Sequence, residues 1–234
     1  MTTPTIAING LNQRYGGSQI LWDVDISVEP GSCTCIMGRN GVGKTTLLKC
    51  LMGLLPIESG SIELSGTAIH DMPAHQRARA GIGFVPQGRE IFPLLTVEEN
   101  LQTGLACRTD GIKTIPDRIF ELFPVLADML HRRGGDLSGG QQQQLAIGRA
   151  LVTDPQVLVL DEPNEGIQPN IVKQIGDVIM KLNSEGLTVI LVEQKLAFAR
   201  RVGTEFRLME KGRVVASDTM SGLSDELIRR HLAV

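Results

Sequence analysis

Apolar positions along the chain recur in two rhythms. Short β-branched or apolar runs predict strands at Thr5 to Ile8, Val24 to Val28, Ser32 to Met37, Ser61 to Leu64 and Ile82 to Val85, with a helix from Lys44 to Met52 between the third and fourth. The rhythm then changes. Helical patterns at Thr96 to Leu105, Ile115 to Leu130 and Gln141 to Val152 follow one another with no strand between them. Strands resume at Gln156 to Leu160 and Thr188 to Val192 around a helical pattern from Pro169 to Leu182, which is the alternation of a parallel sheet. A hairpin is expected at Phe206 to Met209 and Arg213 to Ala216, and a last helix near Ser224 to His231. The expected architecture is one α/β domain, with a mostly parallel core sheet and antiparallel N-terminal strands built from residues 1–87 and 154–234, and a helical lobe inserted at residues 88–153.

The longest apolar stretches, residues 157–160 and 187–192, are far short of the ~20 residues that cross a bilayer. The opening MTTPTIAINGLNQRYGG has neither an early basic cluster nor an extended apolar core, so no signal peptide is expected and any membrane link must come through partners. Lys plus Arg number 23 against 26 Asp plus Glu, a net charge of −3, which offers no basic field for a nucleic acid. Of the four cysteines, Cys33 and Cys35 lie two apart on one expected strand and so face the same side, an awkward disulfide geometry. Small buried hydrophobes in a reducing compartment are the expectation.

Candidate chemistry sits at three strand or helix ends. Gly38-Arg39-Asn40-Gly41-Val42-Gly43-Lys44-Thr45 fits G-x-x-x-x-G-K-[ST] between an expected strand and helix. The glycines let backbone N–H groups wrap a phosphate chain; Lys44 reaches the terminal phosphates and Thr45 a Mg²⁺ ion. A glycine-rich turn alone would explain neither the lysine nor its flanks. Val157 to Leu160 ends in Asp161-Glu162 at the carboxyl edge of the sheet, where Asp161 would help hold Mg²⁺ and Glu162 would take a proton from attacking water. Leu137-Ser138-Gly139-Gly140-Gln141 opens a helix with Ser138 as N-cap; a plain cap explains the serine but not the paired glycines, which suit a second anion site.

Together these residues resemble the ABC ATPases over essentially the whole chain, Leu137 to Gln141 being similar to that family's signature motif. The resemblance implies ATP and Mg²⁺ as cofactors, hydrolysis of ATP, and a head-to-tail pair in which Ser138, Gly139, Gly140 and Gln141 of one copy face the nucleotide held by Gly38, Asn40, Gly41, Gly43, Lys44, Thr45 and Thr46 of the other. It further implies that Tyr15, the single tyrosine, stacks on adenine, and that Gln87 touches Mg²⁺ and the attacking water. Two positions depart from the family's commonest pattern. Gln168 stands for an aspartate and Gln194, after the last core strand, for a histidine, so a neutral donor replaces a possible cation at the phosphate.

Glu193-Gln194, Pro86 to Pro93 and Leu95 to Leu101 are similar to subunits serving branched-chain amino acids and polar amides. Asp161 to Val172 and the glutamine run 141–144 most resemble the urea-transporter ATP-binding subunit, although Asn164 stands where threonine is expected. The resemblance thus implies an importer of urea or short amides, with branched-chain amino acids as the alternative solute. Its partners would be a same or homologous second ATPase subunit, transmembrane permease subunits docking near residues 87–99, and, indirectly, a periplasmic solute-binding protein, at the cytoplasmic face of the inner membrane. An ABC ATPase acting on nucleic acid would carry two ATPase domains or long coiled-coil arms. A non-hydrolysing nucleotide sensor fits Gln194, but retention of Lys44, Asp161 and Glu162 argues against it.

Overall fold

A computed structural model of the chain describes residues 3–232. Two long strands, β1 (Ile6–Tyr15) and β2 (Ser18–Val28), lead to β3 (Cys33–Met37) and α1 (Lys44–Leu51); β4 (Ser59–Leu64), β5 (Thr67–Ala68), α2 (Ala74–Arg79) and β6 (Ile82–Val85) follow. The next segment is helical: α3 (Val97–Thr103), α4 (Asp117–Leu122), α5 (Pro124–Ala127) and α6 (Gly139–Val152). The chain closes with β7 (Val157–Asp161), α7 (Pro169–Ser184), β8 (Thr188–Val192), α8 (Leu196–Val202), β9 (Glu205–Glu210), β10 (Arg213–Thr219) and α9 (Asp225–His231).

Two sheets result. One is antiparallel in the order β2-β1-β4-β5; the other runs β10-β9-β3-β8-β7-β6 with all neighbours parallel except β10. The apolar runs of β7 and β8 are buried at every position, as strands covered on both faces must be. Alternation then sorts their side chains. Cys33, Cys35, Leu158, Leu160, Val189 and Leu191 join the core made with α3 to α8, whereas Ile36, Val157, Val159, Ile190 and Val192 join the core made with α1 and the antiparallel sheet. The central sheet is therefore sandwiched, and its carboxyl edge carries β3, β7 and β8 to one place. All four cysteines are free thiols, three of them buried.

Differences from the sequence-based expectation have local causes. The strand expected at Thr5 to Ile8 continues to Tyr15, and register shifts after Ile8 and Leu11 break the alternation that would have betrayed the extension. The helix expected from Ile115 to Leu130 is two pieces, broken at Phe123 (φ −133°, ψ 73°), which Pro124 drives out of the helical region. The helix expected to begin at Gln141 begins at Gly139. Helix α2, unanticipated, has a single buried side chain, Arg77, so it shows no apolar period; its guanidinium donates to the carbonyls of Cys50 (2.7 Å) and Leu51 (2.8 Å) and closes the C-terminus of α1.

Candidate active site at the sheet edge

Residues 38–43 carry the chain from β3 into α1. Gly38 (φ 155°) and Gly43 (φ 107°) adopt backbone conformations that side chains disfavour, and a Cβ on Gly38 would lie 2.5 Å from the Met209 carbonyl. This loop bounds a cleft of about 860 Å³ with Tyr15 and Ile20 on one wall, Gln87, Glu162, Glu165 and Gly166 on another, and residues 193–195 behind. Asn40, Gly41, Gly43, Lys44, Thr45 and Thr46 face it. Lys44 is 5% exposed and its Nζ donates to the carbonyls of Gly38 (2.8 Å) and Arg39 (2.9 Å). Burial lowers its pKa against the opposing pull of Glu162, Asp161 and Glu193. A phosphate chain in the cleft would offer that ammonium charged acceptors in exchange for two neutral carbonyls, and charge-assisted bonds are the stronger kind.

Asp161 ends β7 beneath the loop, 2% exposed, with Oδ1 buried and without a partner. Burial pushes its pKa up to about 6, opposed by a hydrogen bond with Thr45 and reinforced by Glu162. A buried carboxylate beside a threonine hydroxyl is a hard-oxygen donor set with spare acceptor capacity. It fits Mg²⁺, an ion that takes one or two protein oxygens and completes its shell with phosphate and water. Among the described residues no cluster of three or more His, Cys, Asp or Glu side chains suits a metal held by protein alone.

Glu162 turns the other way. Its φ of 49° is a left-handed conformation for a non-glycine residue, held by its N–H to the Val192 carbonyl (2.9 Å). Of the two adjacent carboxylates, Glu162 lines the cleft, whereas Asp161 is buried under the loop. The Gln194 side-chain amide donates to Glu162 Oε1. Gln87, after β6, donates to Glu165 Oε2 (3.0 Å).

Tyr15, Gln87, Glu162, Gln194 and the loop residues thus share one cleft, Asp161 lies directly beneath it, and Gly38 starts the loop, buried against Met209 rather than lining the cleft. Ser138 to Gln141 are elsewhere and do not line it. Ser138 is exposed, its Oγ accepts from Gln141 N (3.4 Å), and Gln141 Oε1 accepts from Ser138 N (2.9 Å), a reciprocal capping box. The paired glycines also have a packing cause that the anion-site reading did not supply: a Cβ on Gly140 would press on Ile171 at 3.0 Å and one on Gly139 on the Arg89 guanidinium at 3.3 Å.

Sequence reasoning gave Glu193, Asn164, Lys195 and Glu165 no role in the site. Glu193 had a visible signal, since it follows the apolar run of β8 as Asp161 closes that of β7.

The profile of the ABC transporter family matches residues 21–165. The chain is 41% identical over 219 residues to the high-affinity branched-chain amino acid transport ATP-binding protein BraG of Pseudomonas aeruginosa, covering 93% of this chain and 94% of that one. It is 40% identical over 217 residues to the probable branched-chain amino acid transport ATP-binding protein LivF of Archaeoglobus fulgidus, covering 91% of each. The dimeric structure of MJ0796, a bacterial ABC transporter cassette, superposes with a TM-score of 0.83 at 27% identity, over 93% of this chain and 100% of that one.

Proposed function

This chain belongs to the ABC transporter family as an ATP-binding, ATP-hydrolysing subunit, and from that premise we propose that it energises import of a small polar solute by closing on a second ATPase subunit around Mg-ATP. The observation that carries the chemistry is the divergence of Asp161 and Glu162 at one strand end, with the Lys44 loop above them. Lys44 binds the β- and γ-phosphates, while Thr45 and Asp161 hold Mg²⁺, which when bound neutralises phosphate charge. Glu162 accepts the proton of the attacking water, with Gln87 and Gln194 orienting it, and Tyr15 stacks on adenine. Ser138 to Gln141, which begin at an exposed serine and lie apart from the cleft, serve the nucleotide of the partner subunit, a reading supported by the dimeric cassette of similar fold.

No helix among the described residues is long and apolar enough to cross a membrane. Attachment to the cytoplasmic membrane face therefore rests on permease subunits. Exposed Phe92 and Leu94, in the segment after Gln87, offer them apolar contact.

Branched-chain amino acids are the solute class best supported, because both curated relatives described above are named for them. Urea and short amides are a second reading, supported by the similarity of residues 161–172 and the glutamine run 141–144 to urea-type subunits. Uptake of labelled leucine and labelled urea by cells with and without the gene separates them. Loss of leucine uptake alone supports the first reading, loss of urea uptake alone the second, and loss of neither removes both.

A further inference from the structure

Beside Glu162, the parallel strands β7 and β8 end in register, Asp161 opposite Val192. Each strand is followed by an acidic residue. Glu193 is 3% exposed and both its oxygens are engaged: Oε1 accepts the backbone N–H groups of Gln194 and Lys195, each at 2.8 Å, and Oε2 accepts Asn164 Nδ2 at 2.7 Å. Lys195 Nζ returns to the Asn164 carbonyl at 2.9 Å, and the Gln194 side chain reaches Glu162. Three contacts thus stitch residues 193–195 to residues 162–164.

We propose that Glu193 is a positioning residue for ATP hydrolysis, its buried carboxylate, oriented by Asn164, folding the backbone so that the Gln194 amide is held against Glu162. Burying a carboxylate costs several kcal/mol unless its acceptors are filled, a cost that a mere strand terminator would not incur. Here the three donors that fill it are what turn Gln194 toward the cleft. Asn164 is oriented in its turn: its Nδ2 faces the carboxylate while its Oδ1 is buried without a partner. The opposite orientation would set a carbonyl oxygen against the carboxylate, so the carboxylate, not the carbonyl's own needs, decides which way the amide lies.

The inference rests on Glu162 as the proton acceptor, and the test separates the two. ATPase rates and fluorescent-nucleotide affinity are measured on the full chain and its variants. Glu193→Ala is expected to lower kcat by about tenfold to a hundredfold, since a misplacement of ~1 Å can cost on that order, with ATP affinity unchanged. In a Gln194→Ala background the same substitution should cost little more, because the two act through one contact. Should Glu193→Ala not fold, a reciprocal pair decides. Asn164→Asp alone sets two carboxylates together and lowers kcat, and adding Glu193→Gln restores it, because the new glutamine's amide donates to the new aspartate. Ordinary kcat in Glu193→Ala, full additivity with Gln194→Ala, or no rescue in the reciprocal pair would overturn the proposal while an inactive Glu162→Gln left Glu162 in its role. Ordinary turnover by Glu162→Gln would remove both.

Discussion

At the P-loop two charged side chains are buried: Lys44 and Asp161 are 5% and 2% exposed, and Asp161 keeps an oxygen without a partner. At the start of α6 the reverse holds. Ser138 is exposed, and its capping box with Gln141 is complete within four residues. The first region carries a standing cost that a charged, metal-bearing ligand would relieve, so its proposed binding function resides in a single chain. The second is stable as an ordinary helix start, and its proposed function depends on another surface arriving. One half of the site is therefore testable by binding to the isolated chain, the other only by turnover and assembly.

The sharpest way to break that division is Glu162→Gln. Removing a general base costs typically 10²–10⁴ in rate, so turnover should fall by about a thousandfold while nucleotide binding persists. Size-exclusion chromatography with Mg-ATP should then show the variant as a nucleotide-bound dimer. A variant that stays monomeric with ATP bound would undo the assignment of α6 to the partner's nucleotide.

Lys44→Ala and Ser138→Arg should differ in kind. Loss of charge-assisted phosphate bonds worth about 1.5–3 kcal/mol each predicts a drop in ATP affinity of roughly tenfold or more for Lys44→Ala. Ser138→Arg should leave the isolated chain's ATP affinity within about twofold and abolish turnover, at a cost of ~1 kcal/mol in stability from the lost N-cap. Titration with a fluorescent nucleotide measures the first effect and an ATPase assay the second. Equal losses of affinity would collapse the two regions into one site.

The P-loop half was legible in the sequence because its demands are local. Glycines at fixed spacing, a lysine at the helix start and an apolar run ending in two carboxylates are each consequences of backbone geometry over fewer than ten residues. The central strands read well for the same reason: β6 and β8 lie where their uninterrupted apolar runs place them. What escaped depends on pairs distant in the chain. Asn164 reads as an ordinary polar loop residue until β7 and β8 align and bring it within 2.7 Å of Glu193. Likewise the packing reason for a glycine at position 140 is invisible until α7 presents Ile171. Helix α2 lacked an apolar period, since its one buried residue is the arginine that caps α1.

Asp161 sharpens the comparison thermodynamically. Its folded pKa of about 6 lies above the ordinary 3.8, so the metal-free folded chain binds that proton more tightly than the unfolded chain. Its contribution is neutral to folding below the ordinary value, and stability is lost as pH rises from there through about 6. At pH 7.5 the ionised side chain costs roughly 2–3 kcal/mol, and Asp161→Asn should raise the Tm of the metal-free chain by several degrees, about 5–10 °C, while abolishing Mg-dependent turnover. At pH 4 the two proteins should melt together. A lower Tm for Asp161→Asn at pH 7.5 would mean that Thr45 and Lys44 already satisfy the carboxylate, and the claim of a standing cost would fail.

The smallest effect is expected at Tyr15, which ends β1 before the Gly16-Gly17 turn and is 47% exposed on the wall of the cleft. An aromatic stack on a base adds about 1 kcal/mol beyond simple burial, and it is made equally before and during phosphate cleavage. Tyr15→Ala should therefore raise KM for ATP by roughly fivefold and leave kcat unchanged, the pattern of uniform binding. Tyr15→Phe should do neither, because the ring supplies the contact. Stacking tolerates any base, so GTP should suffer the same loss as ATP. Since Tyr15 lies on the same chain as Lys44, the loss should already appear in nucleotide binding to the isolated subunit, where Ser138→Arg shows none. A Tyr15→Ala variant with intact affinity for the isolated chain but slowed turnover would place the ring outside the adenine contact, in the interface with the second subunit.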